Sequence, residues 1–249
     1  MFLLPALALG AARADSDGAG HAQLILRFAA YSSDAGAVRV GEPGLGVVAT
    51  VEQVWLALRD LRFRRDCSRP SQRVDVRGPV VAELVGGRTT GLPGRIPLAA
   101  TRYCRMAATL RAADATTAPG GAELRGVPVL IHGRRTDGVP FVLRSRRIEL
   151  LSLEAADREG FALKAGGTRL FMAVDLARWM RGLDLAVAEV SHDWRGAVIL
   201  IDERSNSHLL ETFEQRFASG LRLFLDRDGN GVLTPDERGE ASALASGAR

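Results

Sequence analysis

The chain has 249 residues, of which 47% are hydrophobic, so it can bury a sizeable core and is not an intrinsically disordered protein. No apolar run approaches the roughly 20 residues that a membrane-spanning helix needs, and we therefore predict no transmembrane segment. The 33 basic and 29 acidic residues give a net charge of +4, and Lys164 is the one lysine. Because arginine occurs in every segment, its abundance favours a general bias toward arginine over a dedicated anion-binding function.

The N-terminus has the pattern of an export signal. Residues 2–12 form a short uncharged apolar run that ends in the Ala-x-Ala motif of Ala12–Ala14, and a polar stretch begins at Asp15. An apolar region followed by such a cleavage motif is typical of a signal peptide. We predict a signal peptide over 1–14 and an exported protein that is periplasmic, secreted or on the cell surface. The alternative is a buried N-terminal helix, which the abrupt change to polar residues disfavours.

The cysteine content agrees with export. Cys67 and Cys104 are the two cysteines, with no Cys-x-x-Cys motif and no nearby histidine pair at metal-ligand spacing. Two cysteines of an exported protein usually pair, and closing this loop would stabilise the fold by roughly 3–4 kcal/mol in the chain-entropy model. We predict a disulfide. A pair of buried free thiols is the alternative for a cytosolic chain.

Alternating apolar and polar residues predict a mainly β fold. Residues 22–31 read as a first strand, and 46–64 as a second in which the buried face changes near Asp60, as at a β-bulge. Short strands at this spacing favour an antiparallel β-sandwich, over 22–201, rather than a parallel α/β sheet. The other predicted strands are 80–85, 104–112, 122–132, 139–151, 168–175 and 197–201.

Three other segments have distinct patterns. The arginine-rich stretch 62–77 predicts a basic loop around Cys67. A short helix is predicted over 175–182, with Asp175 as its N-cap and Gly182 at its end.

The third segment starts at Ser205, where apolar residues recur at three- and four-residue steps and predict an amphipathic helix. Gly220 weakens that helix, and 221–225 reads alternatively as a strand. Residues 22–201 have a net charge of +8 whereas 202–240 have −4, and we expect the two parts to pack together.

The motif with the most specific chemistry is residues 226–237, Asp-Arg-Asp-Gly-Asn-Gly-Val-Leu-Thr-Pro-Asp-Glu. It resembles the calcium-binding loop of the EF-hand family at every main position of the twelve-residue pattern. Calcium takes six to eight oxygen ligands, and the resemblance implies carboxylate, amide, hydroxyl and backbone oxygens here, with a sharp turn at Gly231. The ligands it implies are Asp226, Asp228, Asn230, Val232 through its backbone carbonyl, Thr234 directly or through water, and Glu237 through both oxygens.

Helix-capping rules agree with this interpretation. Thr234 is a suitable N-cap, proline follows at the first helical position and Glu237 stands at the third, so a short helix is predicted over 238–244. The alternative is a solvated acidic turn. Because EF-hands normally occur in pairs and the chain has one such loop, the EF-hand-like segment 205–245 favours a structural calcium site over a sensor.

The remaining residues predict less about function. The strand Val54–Leu58 and the stretch Arg102–Cys104 resemble exported bacterial β-sandwich proteins, a similarity that implies no functional residues. Ser191–Asp193 contains the three residue types of a hydrolase triad, but contiguous residues on an extended chain point apart. We assign no catalytic residue and expect a non-enzymatic protein.

An alternative function is a cell-surface binding module or adhesin that engages an anionic polymer through its arginine-rich sandwich, at Arg62, Arg64 and Arg65. An aromatic content of 6%, with no visible stacking platform, disfavours nucleic acid as a partner.

Overall fold

The computed structural model describes residues 20–33, 38–42, 46–68, 73–112, 124–193 and 196–247. The predicted signal peptide, 1–14, lies outside these ranges. Within them the strands are β1 His21–Tyr31, β2 Arg39–Glu42, β3 Gly46–Arg64, β4 Arg73–Glu83, β5 Arg88–Thr90, β6 Ile96–Ala99, β7 Arg102–Tyr103, β8 Arg105–Leu110, β9 Val129–Arg135, β10 Pro140–Ser145, β11 Glu149–Ala155, β12 Phe161–Ala162, β13 Thr168–Asp175, β14 Ser191–Asp193, β15 Gly196–Ile201, β16 Leu221–Leu225 and β17 Ala245–Gly247. The helices are α1 Leu176–Trp179 and α2 Ser207–Glu214, with short 3-10 helices at Ala218–Gly220 and Glu240–Ser242.

Most of these strands belong to one large mixed sheet. Its order is β14–β15–β10–β9–β3–β8–β11–β17–β16–β13–β1–β6, with β2 and β4 also paired to β3, and β5 paired to β4. The short strands β7 and β12 pair separately. The prediction of a mainly β fold is confirmed. Its antiparallel description is too simple, because β1 pairs in parallel with β13, and β10 in parallel with β15.

The sheet curls, so that strands far apart in its order meet. Near the end of β1, the Ala30 N–H donates to the carbonyl of Leu84, 3.0 Å away. The Leu84 N–H in turn donates to the carbonyl of Val54 in β3, 2.8 Å away. Side chains from both halves, such as Leu24 and Ile199, therefore share one main hydrophobic core.

A β-bulge in β3 confirms the predicted change of face. The register with β4 shifts between Leu58 and Asp60, and the register with β8 shifts in the same place. Strict alternation would send Leu61 and Phe63 to the face opposite Leu58. The extra residue keeps all three side chains in the core, where each is fully buried. Burial of apolar surface thus explains the bulge.

The predicted basic loop over 62–77 is wrong at both ends. Arg62 and Arg64 belong to β3, and Arg73 begins β4, where it pairs with Arg64. Alternation explains the error, because arginines on the exposed face of a strand give a charged stretch like that of a loop. The remaining connection includes Cys67, which forms a disulfide with Cys104. Residues 69–72 of this stretch lie outside the described residues.

Three other sequence predictions required correction. Residues 139–151 form two strands, β10 and the start of β11, rather than one. Of the predicted strand 122–132, residues 122–123 lie outside the described residues, and β9 begins at Val129. The helix after Ser205 ends at Glu214, and the alternative interpretation of 221–225 as a strand is the right one. Gly220 precedes that strand, where an added Cβ would overlap the Trp179 ring. Helix α1 and its Asp175 N-cap are confirmed, but the helix ends at Trp179 rather than at Gly182.

The C-terminal segment is built into the sheet. Strands β16 and β17 pair with each other, and they lie between β13 and β11. Everything between Leu225 and Ala245 therefore connects two neighbouring strands. Within the described ranges, neither helix has the length and the apolar run that crossing a bilayer would need.

Candidate metal centre

The acidic loop begins where β16 ends. Phe224 is fully buried, and the Asp226 N–H donates to the carbonyl of Arg169, 3.0 Å away, which extends the pairing with β13 by one step. The sheet backbone therefore positions the first predicted ligand. This start departs from the EF-hand pattern, in which a helix precedes the loop, because the residues before Asp226 form a strand.

Three predicted ligands converge. One carboxylate oxygen each of Asp226, Asp228 and Glu237 lies within 4.8 Å of the other two. Two oxygens bound to the same calcium ion at about 2.3–2.6 Å lie no more than about 5 Å apart. The three carboxylates are thus close enough to share one cation, and their mutual repulsion would be relieved by it.

The Asp226 carboxylate is buried in an unusual environment. Its side chain is 6% exposed, and both carboxylate oxygens are buried without a hydrogen-bond partner among the described residues. Burying a carboxylate without a partner is costly, so such groups in folded proteins are normally paired or coordinate a metal. The orientation of Asp226 toward Asp228 and Glu237 makes a cation the natural partner.

Glu237 is held in place by the loop backbone. It is 4% exposed; Oε1 accepts from the Arg227 N–H at 2.6 Å, and Oε2 accepts from the N–H and the hydroxyl of Thr234, both at 3.1 Å. Burial opposes ionisation of Glu237, but these donors, with the Asp228 N–H, hold its pKa below the ordinary value. The carboxylate is therefore negatively charged and turned into the loop.

The Thr234 N–H donates to the Glu237 carboxylate, which is one of the two hydrogen bonds of a capping box between an N-cap threonine and a glutamate three residues later. The N–H groups of Glu237 and Arg238 both donate to the Thr234 carbonyl at 3.1 Å, which makes a single turn. The predicted helix over 238–244 is wrong. The short 3-10 helix Glu240–Ser242 forms there instead, because the Leu244 N–H donates to the Leu223 carbonyl, 2.7 Å away, and the chain returns to the sheet too soon for an α-helix.

Two glycines shape the turn of the loop. Gly229 and Gly231 have φ of 71° and 75°, in the left-handed region where a side chain is strained. Between them Asn230 donates its N–H to Asp228 Oδ1 at 3.0 Å and accepts from the Val232 N–H at 2.6 Å. The loop backbone thus wraps around its acidic side.

Two arginines hold this loop against the sheet. Arg169 of β13 donates from Nη1 to the Gly229 carbonyl at 3.0 Å, and Arg27 of β1 donates from Nη1 to the Gly231 carbonyl at 3.2 Å. Leu233, the apolar position of the EF-hand pattern, packs on a small outer cluster that includes Tyr31. Sequence reasoning missed both arginines, because they lie 60 and 204 residues from their partners.

The other three predicted ligands lie beside the carboxylates. Asn230 is exposed and donates from Nδ2 to Asp228 at 2.7 Å. Thr234 is half-buried against Glu237, and the Val232 side chain is 63% exposed, as suits a residue that would contribute its backbone carbonyl. The structure therefore assembles the three carboxylates directly and holds Asn230 and Thr234 by hydrogen bonds to two of them.

The remaining candidate residues lie elsewhere. Arg64 pairs in register with Arg73 and Arg105 on its two neighbouring strands. Arg62 pairs in register with Asp75. Ser191–Asp193 forms the extended strand β14, which pairs with β15. The anionic-polymer function remains a prediction.

Comparison of the chain with protein-family models finds no match, and comparisons with curated proteins and with solved structures find none either.

Proposed function

We propose that this is an exported calcium-binding protein in which residues 226–237 form a structural metal site on the sheet. The observation that carries the proposal is the Asp226 carboxylate, buried with no partner among the described residues, beside Asp228 and Glu237. The spacing of the EF-hand-like motif supports the same function independently of this geometry.

The donor set favours calcium over other divalent cations. The three converging groups are carboxylates, and the neighbouring donors are the amide and hydroxyl oxygens of Asn230 and Thr234. Zinc sites are usually built with cysteine and histidine, which this cluster lacks. Magnesium demands near-octahedral geometry and retains several waters, whereas calcium accepts the six to eight oxygens that a loop of this kind offers.

A structural role fits the surroundings of the loop better than a sensor role. The loop is flanked by β16 and β17, which are paired with each other inside one sheet. Sensor EF-hands work by opening a pair of helices, and the described residues place no helix pair around this loop. The Cys67–Cys104 disulfide and the predicted signal peptide support an extracytoplasmic setting, where calcium sites bind at about 10⁻⁴–10⁻³ M.

Calorimetric titration with calcium, after treatment with a chelator and its removal, tests this function. We expect one site with a Kd of about 10⁻⁴–10⁻³ M, and weaker binding of magnesium. Asp226→Asn and Glu237→Gln should each weaken calcium binding about tenfold or more, since each removes a charged ligand worth at least about 1.4 kcal/mol.

Asp236→Asn is the matched control, because Asp236 is an exposed carboxylate in the same loop at a position that the motif does not use as a ligand. Its calcium affinity should stay within about twofold of the unmodified chain. The proposal is wrong if the unmodified chain binds no calcium, or if Asp236→Asn weakens binding as much as Asp226→Asn does.

A further inference from the structure

A cavity of 620 Å³ opens beside the metal loop, outside the main core. Its walls include the outward-facing residues Gln23 and Ile25 near the start of β1, residues 166–169 before and in β13, and the loop residues 225–229. Cavities of about 300–1,000 Å³ are of the size that holds small-molecule ligands. The site is thus large enough for a ligand other than a metal ion.

Positive charge distinguishes this cavity. Its lining includes the four cationic side chains of Arg95, Lys164, Arg169 and Arg227, all exposed. Arg169 is bonded to the Gly229 carbonyl. The side chains of the other three make no hydrogen bond or ion pair with the residues that the structure describes. Cations that converge on one cavity repel each other, and an anion bound among them relieves that repulsion.

The rest of the lining is partly apolar. Ile25, Leu225 and Leu244 are half-buried and border the same space. An apolar floor with a few charged groups around it suits an organic ligand with a hydrophobic body. We propose that this cavity binds a small organic dianion, whose charged groups pair with Arg95, Lys164 and Arg227 while its body covers the apolar side chains.

Calcium should strengthen this binding, a coupling that rests on the proposed metal function. Asp226 and Asp228 line the cavity and are also proposed metal ligands, so a bound cation neutralises the two charges that would repel an anion. Arg169 is held by the Gly229 carbonyl of the loop, and ordering the loop also orders this cation. Because coupling between two sites is reciprocal, the dianion should tighten calcium binding by the same factor.

The test is a titration of the protein with naphthalene-1,5-disulfonate, monitored by the fluorescence of this probe. One titration is done in the presence of calcium, and the other with chelator-treated, desalted protein. We expect saturable binding in both, tighter in calcium by about fivefold or more. Neutral 1-naphthalenemethanol should bind about tenfold more weakly or not at all, since it lacks the charges. The triple variant Arg95→Gln, Lys164→Gln and Arg227→Gln should lose about tenfold or more in disulfonate affinity.

The control variant is Arg125→Gln, Arg146→Gln and Arg204→Gln, which removes the same charge from exposed positions outside the cavity lining. Equal weakening by both triple variants, or no disulfonate binding in either condition, overturns the proposed site. Equal affinity with and without calcium, in protein shown by calorimetry to bind calcium, overturns the coupling. If the protein binds no calcium, the metal function fails, and the calcium-free titration still decides the anion site.

Discussion

Single residues determine how the metal loop is held. Asp226 brings a buried carboxyl group to the end of β16, and Gly231 lets the chain turn beside it with a φ of 75°. The Gly231 carbonyl also accepts the bond from Arg27, and an added Cβ would overlap the Arg27 guanidinium. Gly231 therefore serves both the turn and the attachment of the loop to β1.

We expect Gly231→Ala to lower the free energy of unfolding by about 1–2 kcal/mol, from the left-handed conformation alone, and to displace Arg27 as well. Calcium affinity should fall about tenfold, because a shift of the loop costs about 1.4 kcal/mol or more at the ligands. Urea unfolding and calcium calorimetry measure the two effects.

Gly126→Ala is the control that separates the cost of a left-handed backbone conformation from the effect of a substitution inside the metal loop. Gly126 has a φ of 77°, and apart from its chain neighbours no described residue lies within 4 Å of an added Cβ, so its substitution carries the conformational cost. We expect a similar loss of stability with unchanged calcium affinity. Equal calcium affinities for the two variants would contradict the role assigned to Gly231.

At the scale of elements, the junction of β13 and α1 depends on one carboxylate. Asp175 is 2% exposed and accepts from the N–H groups of Ala177 at 3.1 Å and Arg178 at 3.4 Å. It also accepts from the Ser33 hydroxyl at 2.9 Å and faces the Arg178 guanidinium at 3.4 Å. The Trp179 indole N–H donates to the Phe217 carbonyl at 3.0 Å, which joins α1 to the chain leading into β16.

Asp175→Ala should therefore lower the free energy of unfolding by about 2 kcal/mol, since it removes the helix cap and leaves buried donors unpaired. Asp175→Asn retains the capping oxygen and should lose about half as much. Urea denaturation of both variants measures the difference. Equal losses for alanine and asparagine would show that the capping oxygen contributes little.

At the scale of the whole molecule, the metal loop connects two strands inside the sheet. Strands β16 and β17 lie between β13 and β11, and the same sheet curls so that β1 reaches Leu84. A ligand that binds only the folded loop stabilises every element that unfolds with it. Local ordering by calcium should therefore appear as a gain in global stability.

Calcium at about 100 times its Kd should raise the free energy of unfolding by about 2.7 kcal/mol in one cooperative transition. Fluorescence in urea reports it, because Trp55 in β3 and Trp179 in α1 lie in different parts of the fold. Glu237→Gln should show almost no calcium-dependent gain. Two separate transitions, with calcium shifting only one of them, would instead mean that the C-terminal segment unfolds independently.

The amino-acid sequence by itself determined the features that depend on neighbours along the chain. Alternation predicted β1, β13 and the bulge near Asp60, because side chains of a strand alternate between two faces. Capping rules predicted α1, and the two cysteines predicted their pairing. The resemblance of residues 226–237 to the EF-hand loop implied the three carboxylates that the structure brings together, Asp226, Asp228 and Glu237.

The tertiary structure alone decided what depends on distant residues. The helix predicted after Glu237 fails because Leu244 must pair with Leu223, a constraint that capping residues do not contain. The parallel pairing of β1 with β13 likewise joins segments more than a hundred residues apart. The bonds from Arg27 and Arg169 to the loop, and the cavity beside it, follow from that pairing. Local patterns express backbone preference and burial, whereas strand order is decided by which distant faces bury each other best.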